Sequence, residues 1–254
     1  MGDLNGKTAL VTGSSRGIGR GIAQRLAEDG ALIAVHYGSN EAAAKETVES
    51  ITSAGGRAFS VRAELGLPGD ADALFAGFDT ELAACGAEPG LDILVNNAAL
   101  NFPGHIDAVT YEEFDRTIAV NTRAPLFIIQ QGLRRMRDGG RIINISSAVT
   151  SMAHPRQLAY SMSKGAMDTL THTLAKDLGE RGITVNTLSP GWVETDVTAA
   201  RRATPEGEAA LAAYSVFNRI GRPSDIADVA AFLASDDSRW ITGQRLDVTG
   251  GSML

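Results

Sequence analysis

Tyr160 and Lys164 stand four residues apart in QLAYSMSKGA, so a helix would place both on one face. That pair has a definite chemistry. A carbonyl reduced by hydride needs a proton for its developing alkoxide, and a phenol delivers one near neutral pH if a neighbouring cation lowers its reference pKa of about 10. Lysine suits this task as a compact charge with three donors, able to face the phenol and a further hydroxyl, where arginine's planar fork does not. Only four lysines stand against nineteen arginines in the chain. Ser147 lies thirteen residues before Tyr160, at the end of the run RIINISS. A hydroxyl there can hold a carbonyl oxygen as an oxyanion donor does, and Ser146 competes for the role. The plainer alternative is a packed Tyr160 beside a solvated Lys164.

A second cluster follows the first apolar run. The stretch TGSSRGIGRGIAQRLAEDG carries glycines at 13, 17 and 19 in the spacing Gly-x-x-x-Gly-x-Gly. Between a strand and an amphipathic helix, such glycines let backbone N–H groups approach a pyrophosphate at the helix N-terminus. The residues after the second run choose between dinucleotides. A carboxylate there would bind a ribose 2′-hydroxyl and repel a 2′-phosphate. The chain instead reads His36, Tyr37, Gly38, Ser39 and Asn40, with the first acid at Glu41, and Arg16 sits within the loop. A guanidinium there can fork onto a 2′-phosphate, so NADP(H) is favoured. NAD(H) stays possible if Arg16 is merely solvated and Glu41 bends back to the ribose.

These residues require strands that end beside one another. Short β-branched or apolar runs at 8–12, 31–37, 58–63, 91–96, 141–146, 183–189 and 245–249 alternate with helical periods near 18–29, 40–53, 69–85, 111–137, 157–180 and 224–235. The alternation predicts an α/β fold: a single-domain, doubly wound Rossmann fold over 1–254, with a seven-stranded, mostly parallel sheet and helices on both faces. Ser224 is the expected N-cap of the last helix, followed by an apolar set at Ile226, Val229, Ala230 and Leu233. The polar stretch 196–217 has no evident strand, and together with 192–195 it is expected to form a substrate loop or lid.

Composition narrows the class. A formal charge of −7 and a pI near 5.1 argue against nucleic acid, which requires clustered Lys and Arg. The single cysteine, Cys85, rules out an intramolecular disulfide and fits a reducing compartment. No leader or apolar span is read in the sequence, so a soluble cytoplasmic protein without a membrane partner is expected, and no metal cluster is evident.

Four features now coincide: TGSSRGIG at 12–19, NNAA at 96–99, Ser147 after a strand, and YSMSK at 160–164. Together they strongly resemble the short-chain dehydrogenase/reductase family in its form of roughly 250 residues. The look is closest to the branch of 3-oxoacyl-[acyl-carrier-protein] reductases and related sugar, steroid and secondary-alcohol dehydrogenases. The resemblance implies a catalytic set of Asn121, Ser147, Tyr160 and Lys164, with Lys164 also gripping a ribose. It selects Ser147 over Ser146, and it makes the main chain of Asn121 the holder of a water linked to the lysine. Read without the family, Asn121 is an unhelpful helix residue that suggests a local bend. The implied cofactor contacts are Gly13, Ser15, Arg16, Gly17, Ile18 and Gly19 in the loop, Ser39 near the 2′-phosphate, Glu64 and Leu65 beside adenine, and Asn97, Tyr160 and Lys164. Val193 and Thr195, within PGWVET at 190–195, resemble the residues that meet the carboxamide. Two departures stand out: Glu64 replaces the family's usual Asp, and Ala99 its usual Gly.

The expected activity is interconversion of a ketone and a secondary alcohol, with 3-oxoacyl reduction possible. Alternatives are an NAD(H)-dependent sugar, polyol or cyclic-alcohol dehydrogenase, an epimerase or dehydratase, and a dinucleotide-binding sensor without catalysis. Substrate-facing candidates are Leu100, Phe102, Val149, His154, Leu158 and Trp192, with His154 and Gln157 able to bind hydroxyls. An acyl carrier protein would use Arg181, although Asp138 occupies the place of its usual partner and Arg137 and Arg141 are only nearby. The resemblance also implies a homotetramer through 111–137 and 157–180, and Ala159, Ala166, Met167, Leu170 and Leu174 form an apolar stripe that permits it.

Overall fold

In the computed structural model, which describes residues 3–252 and 254, all seven expected strands form. They are β1 (Thr8–Val11), β2 (Leu32–Tyr37), β3 (Arg57–Arg62), β4 (Leu91–Asn96), β5 (Met136–Ile145), β6 (Thr184–Pro190) and β7 (Arg245–Val248). Their order is β3-β2-β1-β4-β5-β6-β7, and every pairing is parallel, so the expected mostly parallel sheet is parallel throughout. The order reverses between β1 and β4, where α/β folds open a crevice outside the carboxyl ends of the strands.

Period-two alternation distributes the strand side chains between two cores. Ala9, Val11, Ile33, Val35, Ile93, Val95 and Ile143 face one side, against Ile22 and Leu26 of α1 (Gly17–Glu28), Ile51 of α2 (Glu41–Ser53) and the last helix. Leu10, Leu32, Ala34, Leu94 and Ile142 face the other, against Leu74, Phe75 and Phe78 of α3 (Asp70–Ala84) and Ile128 of a helix described below. Burial on both faces is why these runs are apolar almost without interruption.

The expected helix 111–137 is divided. It comprises α4 (Tyr111–Ile118), a π turn at Ala119–Arg123, and α5 (Ala124–Gly132). Residues 136–140 belong to β5, because the ladder with β4 begins at Leu91 opposite Met136. α6 (Leu158–Asp177) follows β5. The stretch 196–217 holds α7 (Asp196–Ala199) and α8 (Pro205–Ala212), and α9 is Pro223–Ala234. Ser224 is not the cap of α9: Pro223 takes the first helical position, Arg222 is the N-cap, and its N–H donates to Asp225 Oδ2 at 2.6 Å.

A buried polar ladder fixes α6 on the sheet. Asn96 Nδ2 donates to Asn144 Oδ1 (2.9 Å), Asn144 Nδ2 donates to Thr171 Oγ1 (2.8 Å), and Thr187 Oγ1 pairs with Thr171 Oγ1 (2.8 Å). Asn144 is fully buried and joins β4, β5 and α6. Asn144→Ala should leave amide and hydroxyl groups stranded, costing about 2–4 kcal/mol. Urea unfolding should show a lowered midpoint with an unchanged m-value.

Candidate active site

Gly13 and Gly17 adopt φ of +63° and +57°, where side chains strain the backbone, and a Cβ at Gly19 would lie 2.5 Å from the Gly13 carbonyl oxygen. The loop therefore requires glycine at all three places. The N-cap of α1 is Arg16, whose side chain makes no capping bond, so an anion can take the place of a cap at this twelve-residue helix. The loop is tied to the end of β4: Asn97 Nδ2 donates to the Thr12 and Gly13 carbonyls (2.9 and 3.1 Å), and the Asn97 N–H donates to Thr12 Oγ1 (2.9 Å). Ala99 is exposed without positive φ, so its Cβ is accommodated. These features suit a dinucleotide pyrophosphate, which Gly13, Ser15, Gly17, Ile18 and Gly19 could hold.

Sequence reasoning passed over His36. It is buried at the end of β2, where Nδ1 accepts from the Gly13 N–H (2.9 Å) and Nε2 faces the Ala63 carbonyl (3.0 Å). A histidine inside a run buried on both faces was the available signal. Burial lowers its pKa to about 4, so the ring is neutral and its tautomer is set by its two partners. The folded-state value lies below the reference 6.5, so its contribution to stability is complete above about 6.5 and is lost as pH falls toward about 4. That loss should amount to roughly 3 kcal/mol. Unfolding free energies measured across this window should fall more steeply for the native chain than for His36→Asn.

Beyond β2, Ser39 is exposed and Asn40 caps α2 by accepting from the Ala43 N–H. Glu41 faces Lys45 at 2.8 Å, and that partner lowers its pKa, so the first acid after β2 is engaged along its own helix. Arg16 is exposed and lies 3.7 Å from Asp196 at the start of α7. Glu64 is exposed and Leu65 half-buried just past β3.

The four expected reaction residues meet at the carboxyl end of β5. Ser147 follows that strand, its hydroxyl accepts from the Val149 N–H at 3.4 Å, and it lowers the pKa of the neighbouring Tyr160 phenol. Ser146 turns away, its Oγ on the Lys164 carbonyl at 3.3 Å, which separates the two serines on geometry. Lys164 is buried, with Nζ donating to the Ile145 carbonyl at 2.7 Å and lying 5.5 Å from the Tyr160 ring centroid. Asn121, buried in the π turn, grips the Leu100 backbone through both amide atoms (2.7 and 2.8 Å) and donates to Ser163 Oγ (3.0 Å). Ser163 Oγ in turn donates to the Tyr160 carbonyl at 2.7 Å. The Asn121 side chain thus braces the first turn of α6, and the suspected bend is a π turn of the kind common at functional sites.

The electrostatics differ from the sequence expectation in one respect. Burial pushes the Tyr160 phenol up to about 12, with Ser147 pulling it down only in part. Burial lowers Lys164 to about 8, opposed by the carboxylate of Asp168. Lys164 Nζ donates to the Ile145 carbonyl, and the influences that set the phenol are burial first and Ser147 second. Tyr160 accordingly holds its proton throughout the neutral range.

An aromatic cluster lies past the carboxyl ends of β5 and β6. The His154 and Trp192 rings meet edge-on at 6.2 Å, Trp192 meets Tyr214 at 6.2 Å, and the Arg201 guanidinium lies 4.8 Å from the Trp192 ring centroid. Val193 is buried, and Thr195 Cγ2 would be 3.3 Å from a Cβ at Gly17, so the segment following β6 passes against the glycine loop. Arg181 is engaged internally, by Asp138 at 2.8 Å and the Leu133 carbonyl at 3.2 Å. Arg137 pairs with Asp92, and Arg141 with Asp236 at 3.0 Å. Among the described residues no helix is long and apolar enough to cross a membrane, and no group of three or more His, Cys, Asp or Glu could hold a metal.

Comparison with known proteins agrees with this geometry. Residues 13–253 match the family model described as enoyl-(acyl carrier protein) reductase. Versicolorin reductase of Emericella nidulans is 42% identical over 98% of this chain and 96% of its own. The structure of angucycline C-6 ketoreductase LanV with bound NADP superimposes with a TM-score of 0.94 at 51% identity, covering 99% of this chain and 97% of that one. The reductase LugOII, which catalyses keto-reduction at C1 during lugdunomycin biosynthesis, gives 0.95 at 52%, covering 99% and 100%. The chain is an oxidoreductase of the short-chain dehydrogenase/reductase family.

Proposed function

We propose that this protein is an NADPH-dependent ketoreductase whose substrate is a ketone on or beside an aromatic ring system. The observation that carries the reaction class is the convergence, at the carboxyl end of β5, of Ser147, the Tyr160 phenol whose pKa it lowers, and the buried Lys164, whose Nζ lies 5.5 Å from the Tyr160 ring centroid. The aromatic reading rests on the cluster of His154, Trp192 and Tyr214, and on likeness to versicolorin and angucycline reductases.

Gly13, Ser15, Gly17, Ile18 and Gly19 would hold the pyrophosphate of NADPH, which when bound would supply the hydride. Ser147 donates a hydrogen bond to the substrate carbonyl oxygen, fixing it beside the phenol. As the oxygen gains charge, Tyr160 gives up its proton to it. A phenol held protonated by burial is the form this reduction needs. Lys164 supplies positive charge one helical turn away, and its ammonium is assigned to a ribose hydroxyl of the cofactor. Asn121 keeps the turn carrying Tyr160 in place through Ser163, and its main chain is assigned the water that returns the proton. Tyr160→Phe should bind NADPH within about twofold of the native chain yet lose about 10²-fold or more in kcat. Fluorescence titration and steady-state kinetics measure the two; native kcat/KM in the variant would remove Tyr160 from the mechanism.

Preference for NADP(H) is assigned to Arg16 and Ser39, with Glu41, the first acid after β2, engaged by Lys45, and LanV was solved with NADP bound. The Arg16–Asp196 pair is exposed on both sides and weak, so a 2′-phosphate competes with it readily. Arg16→Ala should weaken NADPH about tenfold or more and NADH little, by titration of both nucleotides. Equal losses would refute the assignment.

Assembly through α5 and α6 remains part of the proposal. Leu126 and Phe127 on α5 and Met162 on α6 are exposed apolar groups that a second copy would cover.

A further inference from the structure

We propose that His154 reads a hydroxyl group on the aromatic ring of the substrate and is a specificity-determining residue of this site. The inference rests on the aromatic-ketone reading above. His154 lies in the segment that joins Ser147 to Tyr160, between the two groups assigned to the carbonyl. Its ring is held edge-on to Trp192, at 6.2 Å and 63°. Trp192 is itself fixed between Tyr214 and the Arg201 guanidinium. The loop is anchored at its far end, where the Gln157 N–H donates to the His154 carbonyl at 3.0 Å and the Gly104 N–H to the Arg156 carbonyl at 2.9 Å.

Within this fixed setting, Nδ1 of His154 is shielded from solvent and has no hydrogen-bond partner among the described residues. A shielded nitrogen without a partner costs about 1–3 kcal/mol, which a ligand group supplying the missing bond recovers. The charge state selects the kind of group. Burial, with Arg201 and Arg156 nearby, lowers the His154 pKa below its ordinary 6.5, so the ring is neutral at pH 7. A neutral imidazole exchanges a hydrogen bond with a hydroxyl, whereas a carboxylate would call for imidazolium. Arg201, exposed above Trp192, adds a positive field that favours an electron-rich, weakly acidic hydroxyl such as a phenol over an aliphatic alcohol. His154 therefore orients the ring through its substituent while Ser147 and Tyr160 hold the carbonyl.

The test measures NADPH oxidation with α-tetralone, its ring-hydroxylated isomers, and cyclohexanone as a non-aromatic control. The native protein should prefer at least one hydroxylated isomer over α-tetralone by about tenfold in kcat/KM. His154→Phe keeps the ring packing on Trp192 and removes the nitrogen. It should abolish that preference by raising KM for the favoured isomer about tenfold more than KM for α-tetralone, with kcat on the two substrates changed in parallel. His154→Gln, which restores a polar atom, should recover part of the preference. Equal losses on α-tetralone and its hydroxylated isomers, or a preference that survives in His154→Phe, would overturn the inference. Reduction of every tetralone without preference by the native protein would overturn it alone. Reduction of cyclohexanone but of no tetralone would overturn the aromatic reading with it.

Discussion

The junction between β1 and β4 is the constraint on which the site depends. At that point two parallel strands end and the chain leaves in opposite directions, exposing backbone groups that must find partners. Thr12 and Asn97 supply them: the Thr12 N–H donates to the Val95 carbonyl at 2.9 Å, and Asn97 returns bonds to Thr12 and Gly13. His36 closes the third side from β2 by accepting the Gly13 N–H. The glycine loop is thereby fixed by three strands, and its helix presents an end without a side-chain cap at a defined place. Pre-arrangement of this kind lowers the ordering that a phosphate ligand would otherwise impose.

The second half of the site is held by different means. Where the glycine loop is positioned by backbone bonds, α6 is positioned by buried side chains: Asn144 and Thr171 behind it, Asn121 and Ser163 at its first turn. Each is a hydrogen bond in a dry environment, strong and directional, and each fails if one partner is lost. The phenol and the serine hydroxyl meet because two elements, β5 and α6, are locked together at both ends of their contact. Burial then does the electrostatic work, keeping the proton on Tyr160 and easing it from Lys164.

Much of this was legible in the residues. The strands could be read because parallel strands covered on both faces must be apolar, as TALV and LDILVN are. Tyr160, Lys164 and the glycines were legible because their chemistry restricts residue type. Other features were hidden for physical reasons. MRDGG in β5 is polar and looped in character; it joins the strand through the pairing of Met136 with Leu91, after which the register shifts before Arg141 meets Ile93. Arg222 caps α9 although arginine has no short acceptor, since Pro223 and Asp225 provide the start signal. Arg16 pairs with Asp196 across 180 positions of sequence, and the aromatic cluster joins residues from two distant loops. Such contacts belong to the tertiary arrangement and leave no local pattern.

The π turn has a consequence for the whole of the segment 111–132. Five residues per hydrogen-bonded step, in place of four, insert one residue into the helical count, and each residue advances the helix by about 100°. α4 and α5 therefore run end to end yet present faces out of phase with each other. α5 can set Ile128 and Ile129 into the core while α4 keeps a charged, largely solvated surface, and Asn121 at the seam points inward between them. A continuous α-helix of this sequence would have to give up one of those three orientations. The extra residue acts as a phase shifter, letting one rod of chain serve the core, the solvent and the site together.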